Sequence, residues 1–241
     1  MIFSQNYFLL VMIPTVIMTL FAQWRVRSAY KRWSEVRNSN GYTGLDTARA
    51  IMGFTGLDTA YAVAGPSGKG DAVKIGSTSG VLTDHYDPRD KTIYLSESST
   101  GASVAAMAIV AHELGHAEQD RTGNAMLNLR ASLVPAANIG SNLGIWIILA
   151  GLLLQYDPLA WVGVGLFSAM VAFTLVTLPV EFDASRRAKK WLTEMGLVSP
   201  QEREGVDAVL NAAALTYVAA AAAAVLNLLH YVTLLTGRSR D

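Results

Sequence analysis

The 241-residue chain contains no cysteine. That absence removes disulfide frameworks, thiolate zinc sites, iron–sulfur clusters and cysteine nucleophiles together, and it leaves the redox compartment open. Charge is scarce as well: Asp, Glu, Lys and Arg make up 16% of the residues, against about 25% in an ordinary soluble domain. Hydrophobic residues reach 51%, so a purely soluble chain does not fit. With 19 basic and 19 acidic residues the formal net charge is zero. Nothing supplies the clustered excess of Lys and Arg that a nucleic-acid-binding surface needs, and no nucleic-acid partner is expected. Lys and Arg are also missing before the first apolar run, where a cleaved signal peptide would carry them; Arg25, Arg27, Lys31 and Arg32 follow it instead.

The missing charges are concentrated. Residues 1–24, 131–156, 158–180 and 208–237 hold no Asp, Glu, Lys or Arg, and each tract is long enough for the roughly 20 residues that a helix needs to cross about 30 Å of hydrocarbon. The first, over residues 7–22, reads as an uncleaved anchor. The second and third, residues 133–154 and 159–180, are joined by Gln155–Pro158 alone and form a helical hairpin with Tyr156 and Trp161 at headgroup level. The fourth, residues 208–235, is rich in alanine, and its length favours spanning. Of the Lys and Arg residues, 12 lie in 25–132, five in 181–207, two after Thr236 and none in 155–158. The positive-inside rule then puts both large polar segments in the cytoplasm, with both termini on the far side of a plasma or inner membrane. The expected organisation is an anchor at 1–24, a cytoplasmic catalytic segment at 25–132, a transmembrane hairpin at 133–180, a cytoplasmic helix at 181–207 and a fourth crossing with a tail at 208–241.

Within 25–132 the pattern reads helix, helix, hairpin, helix. Residues 24–37 continue the first helix out of the membrane, and Thr43-Gly-Leu-Asp46 opens a helix to about Met52 as a capping box does. The string TGLDTA at 43–48 recurs at 55–60 and reads as a second helix start. Residues 65–70 are a Gly/Pro/Ser loop. Residues 80–86 and 92–96 flank Asp87-Pro88-Arg89-Asp90, a type I turn sequence, which predicts a β-hairpin. Ser98-Ser99-Thr100 supplies N-cap candidates for the next helix.

That helix carries His112-Glu113-Leu114-Gly115-His116, an HExxH motif holding half of the chain's 4 histidines. On a helix the two imidazoles lie one turn apart and about 40° around the axis, so both reach one metal ion, while Glu113 projects about 60° from His116. A catalytic zinc site needs a third protein ligand and an open position. A metzincin would have Gly at 119 and His at 122, where this chain has Gln119 and Thr122. Glu118 and Glu97 sit on the same or the preceding element and cannot close the site from another side. Glu181 remains as the best candidate: it follows the third membrane helix beside Pro179, on the same side of the membrane. Its alternative role is an interfacial carboxylate paired with Arg186 or Arg187.

The chain resembles the YugP-type neutral zinc metallopeptidases of bacterial membranes, relatives in style of the HtpX and CAAX prenyl protease group. The resemblance runs through LTDHYDPR at 82–89, LSES at 95–98, AHELGHAEQ at 111–119, LVPAANIGS at 133–141, TLPVEFDASRRAKKWL at 177–192 and NAAALTYVAA at 211–220. It implies a gluzincin-like site with His112, His116 and Glu181 as ligands of one zinc ion per chain and Glu113 as the catalytic base. In the HtpX-like group the ligand glutamate is followed four residues later by an aspartate that orients a ligand histidine. Here that place holds Ser185, and Asp183 lies on another helical face. Residues 62–78 are longer than that pattern expects between helix and hairpin.

The expected fold is therefore a mainly α membrane protein: four transmembrane helices and a cytoplasmic α+β zincin-like domain, with HExxH on a helix and a small β-hairpin beside it. The expected activity is zinc-dependent peptide hydrolysis, with polypeptides in or on the lipid bilayer as substrates. The hairpin offers an edge strand to an extended substrate. Arg186, Arg187, His85 and Tyr217 are candidates for oxyanion stabilisation, and Asp183 for orienting a ligand histidine. Two other functions are weighed. A site-2-type intramembrane protease would carry HExxH inside a membrane helix and an aspartate motif in a later one, yet His112 precedes the hairpin and no later apolar tract contains Asp. A non-enzymatic adaptor with a relic motif would be expected to have lost Glu113 or a histidine, and all three are present. The topology is directly testable: a reporter fused after Arg121 should behave as cytoplasmic and one at Asp157 as external, and the reverse pattern would invert the assignment.

Overall fold

The computed structural model describes residues 5–58 and 72–238. Six helices and three strands account for most of them: α1 Phe8–Ser34, α2 Gly44–Thr55, β1 Lys74–Ser77, β2 His85–Asp87, β3 Thr92–Leu95, α3 Val104–Arg121, α4 Ala125–Leu153, α5 Asp157–Glu194 and α6 Pro200–Arg238. Four helices, α1, α4, α5 and α6, are long and apolar enough to cross a membrane. Their most apolar stretches are only 17–33% buried. A side-chain surface of Leu9, Leu10, Ile17, Trp146 and Leu153 facing outward suits a hydrocarbon solvent.

The chain divides into two compact units. One lies within Met1–Gln23, Asn128–Pro179 and Leu215–Asp241. Its core gathers Ile148, Leu152, Ala160, Val164, Phe167, Val171, Ala224, Tyr231 and Leu235. The hairpin α4–α5 packs backbone to backbone: a Cβ on Gly163 would fall 2.5 Å from the Ile148 nitrogen. Such close approach is a common way for helices to associate where lipid removes the hydrophobic drive. The connection is as short as expected, with Gln155 in a left-handed conformation at φ 53.

The other unit comprises Trp24–Leu127 and Val180–Ala214. Its centre is α3, apolar all round over residues 104–111 and buried over most of its length, as a core helix must be. Val104, Ala105, Met107, Ala108, Val110, Ala111 and Leu114 are fully enclosed and pack with Trp33, Ile51, Ile93, Trp191, Leu192 and Val209. The capping box at the start of α2 forms as predicted, Thr43 Oγ1 accepting from the Asp46 amide and the Asp46 carboxylate from the Thr43 amide. The second TGLDTA does not start a helix over the residues described. Thr55 is the last residue of α2, and Gly56, at φ 73, terminates it with its N–H on the Met52 carbonyl. Only a glycine-like residue enters that conformation cheaply, so one hexapeptide opens a helix and the same letters close it. The predicted loop at 65–70 lies outside the described residues.

The predicted hairpin is present as β2 and β3, but it belongs to a three-stranded sheet of order β1-β3-β2, with β1 parallel and β2 antiparallel to β3. Its first arm is shorter than expected. Asp84 leaves the ladder and accepts from the Ser96 amide at 2.8 Å and from the Ser96, Ser98 and Ser99 hydroxyls, a local side-chain competition with strand pairing. Those serines are thus committed to Asp84, and the N-cap of α3 is Ser103, whose hydroxyl accepts from the Ala106 amide at 3.1 Å.

Within this unit, α5 runs antiparallel to α3 and buries the face formed by Glu181, Ala184, Ser185, Ala188 and Leu192. The helices meet at Gly115, where an added Cβ would lie 2.7 Å from the Ala184 carbonyl oxygen. Pro179 does not break α5, which continues to Glu194. Gly115→Ala should therefore push α5 away and destabilise the protein by about 1–3 kcal/mol, the usual cost of overpacking. Gly165→Ala, with nothing within 4 Å of its Cβ position, should melt at or above the wild-type temperature in detergent. Equal melting of both variants would remove the tight crossing from the account.

Candidate metal centre

His112 and His116 stand one turn apart on the side of α3 that faces α5, their rings 4.8 Å apart and nearly perpendicular. Glu181 enters from α5, 2% exposed. Its Oε2 lies 3.2 Å from His112 Nε2 and 3.5 Å from His116 Nε2. One ligand atom from each of the three falls within 4.8 Å of the others, and among the described residues these three form the one such group of histidines and carboxylates. Two nitrogens and one carboxylate oxygen, held by two helices, match the donor set of a three-ligand zinc site.

The far side of each ring is engaged. His112 Nδ1 is 3.1 Å from Ser185 Oγ, and His116 Nδ1 is 3.0 Å from Gln119 Oε1. With Nδ1 occupied, each Nε2 is turned to Glu181, so the residues fit a metal ion bound through Nε2. Ser185, at the place where the resembling group has aspartate, thus does reach a histidine. Asp183, predicted to lie on another face, touches neither ring; its carboxylate accepts from Gln119 Nε2 at 3.0 Å. Arg187 Nε at 2.8 Å and Arg186 Nη2 both pair with Asp183. The arginines considered as partners for Glu181 or for an oxyanion are thereby drawn to Asp183.

Glu113 lies beside the two imidazoles on α3. Its Oε2 accepts the Tyr86 backbone N–H at 3.1 Å, a donor on the edge of β2 away from β3. The strand is tied to α3 by a second bond, from the Tyr86 hydroxyl to Asp120 Oδ2 at 2.7 Å, and Lys91 Nζ reaches the same oxygen at 2.5 Å. Burial pushes the Glu113 carboxyl above its ordinary pKa, and the nearby Glu181 carboxylate adds to the shift against the opposing imidazoles. For His116, burial disfavours the imidazolium, but the hydrogen bond to Glu181 and the charges of Glu113 and Glu181 outweigh it and hold the pKa above 6.5.

Of the other predicted residues, His85 is not brought to this cluster. His85 is exposed on the sheet, its Nδ1 2.9 Å from the Thr83 carbonyl and its ring stacked on Tyr94 at 5.0 Å. Tyr217 belongs to the other compact unit, on α6. Gln119 is the residue that sequence reasoning passed over, having considered position 119 only as lacking a metzincin glycine. Its spacing, three residues after His116, was the available signal, because i and i+3 share a helix face.

A histidine pair on one helix, a carboxylate from another and a protonatable glutamate beside them define a metallopeptidase-like constellation in a chain with four membrane-length helices. The comparisons place it further. Residues 8–236 match the family described as “Putative neutral zinc metallopeptidase”, and the chain belongs to that family. It is 39% identical over 236 residues to the “Putative membrane protease YugP” of Bacillus subtilis (strain 168), covering 97% of this chain and 99% of that relative. No solved structure matches. With its four apolar helices, the chain is a multi-pass membrane protein.

A metal ion requires neutral imidazoles, so protons compete for this site. Because the His116 pKa is raised in the metal-free protein, zinc affinity should be greatest above that pKa and should fall by about tenfold or more per pH unit below it. Chelator competition across a pH series checks this; an affinity independent of pH would exclude imidazole ligation.

Proposed function

We propose that this protein is a membrane zinc endopeptidase that hydrolyses peptide bonds of membrane or membrane-associated proteins, with His112, His116 and Glu181 holding the ion and Glu113 as general base. The observation that carries the reading is the convergence of those three donors beside Glu113. Bound there, zinc supplies Lewis acidity, polarising the scissile carbonyl and making water acidic enough to give up a proton near neutral pH.

The chain's own groups supply the rest. The Tyr86 N–H fixes one oxygen of Glu113, so the proton of the attacking water goes to the other, Oε1, and later passes from there to the leaving amine. In the metal-free protein burial raises the Glu113 carboxyl above its ordinary pKa; a general base and acid works best with a pKa near the operating pH. The edge of β2 beside Glu113 is less open to an extended substrate than the hairpin pattern suggests, because its outward Tyr86 N–H is held by Glu113. Lys and Arg flanking the apolar tracts support a cytoplasmic position for this unit. The intramembrane alternative is disfavoured because α3 is not one of the four candidate spans and is packed in a core of its own.

Full-length protein in detergent, analysed for metal content and for cleavage of an unfolded membrane-protein substrate, tests the proposal. Wild type should hold about one zinc per chain, as one three-ligand site requires. Glu113→Gln should keep the zinc and lose turnover by about 10²–10⁴-fold, whereas Glu181→Ala should lose both zinc and activity. Full turnover in Glu113→Gln would remove the assigned base, and undiminished zinc in Glu181→Ala would remove the third ligand.

A further inference from the structure

Gln119 is fully buried, and three of the four hydrogen-bonding positions of its amide are used, both donors among them. Its Nε2 donates to the Val180 carbonyl at 2.8 Å and to Asp183 Oδ2 at 3.0 Å, and its Oε1 faces His116 Nδ1 at 3.0 Å. The first two partners are acceptors only: a backbone carbonyl has no proton to give, and Asp183 is paired with both Arg186 and Arg187. Turning the amide over would set Oε1 against two acceptors and forfeit both bonds inside a buried site, the costly case for an unmet polar group. The amide orientation is therefore determined by its α5 partners, and Oε1 must accept from His116. That requires the proton of a neutral His116 to sit on Nδ1.

The opposite pull exists at the same ring. Glu181 Oε2 lies near the Nε2 of both histidines and, without a metal, would draw a proton there. Gln119 opposes this at His116 alone. The partner of His112 Nδ1 is the Ser185 hydroxyl, which rotates to donate or to accept and so selects no tautomer. We infer that Gln119 is a positioning residue that locks metal-free His116 in its Nδ1–H tautomer, with the Nε2 lone pair bare toward the metal position, and that His112 has no such lock. The Asp183–Arg186–Arg187 group holds Gln119, one step removed from the ring. This inference rests on the reading of His116 as a zinc ligand.

Two measurements on the full-length protein test it. In zinc-free wild type at alkaline pH, nitrogen-15 correlation spectra of labelled histidines should show His116 as Nδ1–H and His112 with Nε2–H populated. A His116 in the Nε2–H form would overturn the inference, and this readout needs neither a variant nor metal. Zinc affinity by chelator competition should fall about 10–100-fold in Gln119→Met, the range typical of lost support to a ligand histidine, and by less in Ser185→Ala. An affinity within twofold of wild type in a folded Gln119→Met would also overturn it. A merely structural glutamine would lower the melting temperature of Gln119→Met while leaving zinc affinity unchanged. Failure of the underlying reading looks different: wild type would bind no zinc, or His116→Ala would bind it as tightly as wild type, whatever the tautomer.

Discussion

The approach of α3 to α5 is the constraint on which the metal centre depends. A three-residue donor set drawn from two helices works only if their backbones come close enough for short side chains to meet, and Gly115 against the Ala184 carbonyl permits that distance. From this one crossing the other pairings follow in register along two antiparallel helices. Gln119 meets Val180 and Asp183, Glu181 meets both histidines, and Ser185 meets His112. A side chain at position 115 would displace all of them together, because packed helices shift as rigid elements rather than deforming locally.

Charge is handled by segregation. Glu113 and Glu181 lie close enough to interact unfavourably, and the imidazoles between them moderate the repulsion. Asp183, only two residues from Glu181, is turned away and satisfied by Arg186 and Arg187, so the arginines neutralise a supporting carboxylate and leave the ligand carboxylate to the histidines. Gln119, a neutral group with both donor and acceptor ends, passes the influence of that ion pair to His116 without bringing a further charge into the core.

The sheet serves the same centre from the other side. Its edge strand β2 is pinned through Tyr86, and the turn after it through Lys91, to Asp120 at the end of α3, and a backbone N–H of β2 meets Glu113. Strand, base and ligand helix are thus linked by hydrogen bonds within one compact unit, and the geometry at Glu113 depends on that attachment.

Much was legible in the sequence because it rests on local periodicity and composition. Tracts without charge mark helices of membrane length, since burying a charge in hydrocarbon is costly. HExxH places two imidazoles and a carboxylate on adjoining faces of a helix, and Thr43 with Asp46 predicts a cap that forms. Local reasoning failed where a distant partner decided. Ser98 and Ser99 resemble helix caps but bind Asp84; the second TGLDTA is shaped by the helix it ends; β1 finds its partner across a parallel crossover that no hairpin pattern announces. The meeting of Glu181 with His112, of Ser185 with the same ring and of Gln119 with the Val180 carbonyl was likewise decided by the tertiary structure, because residues about 60 to 75 positions apart are brought together by helix packing, which a side chain's own neighbours in sequence do not encode.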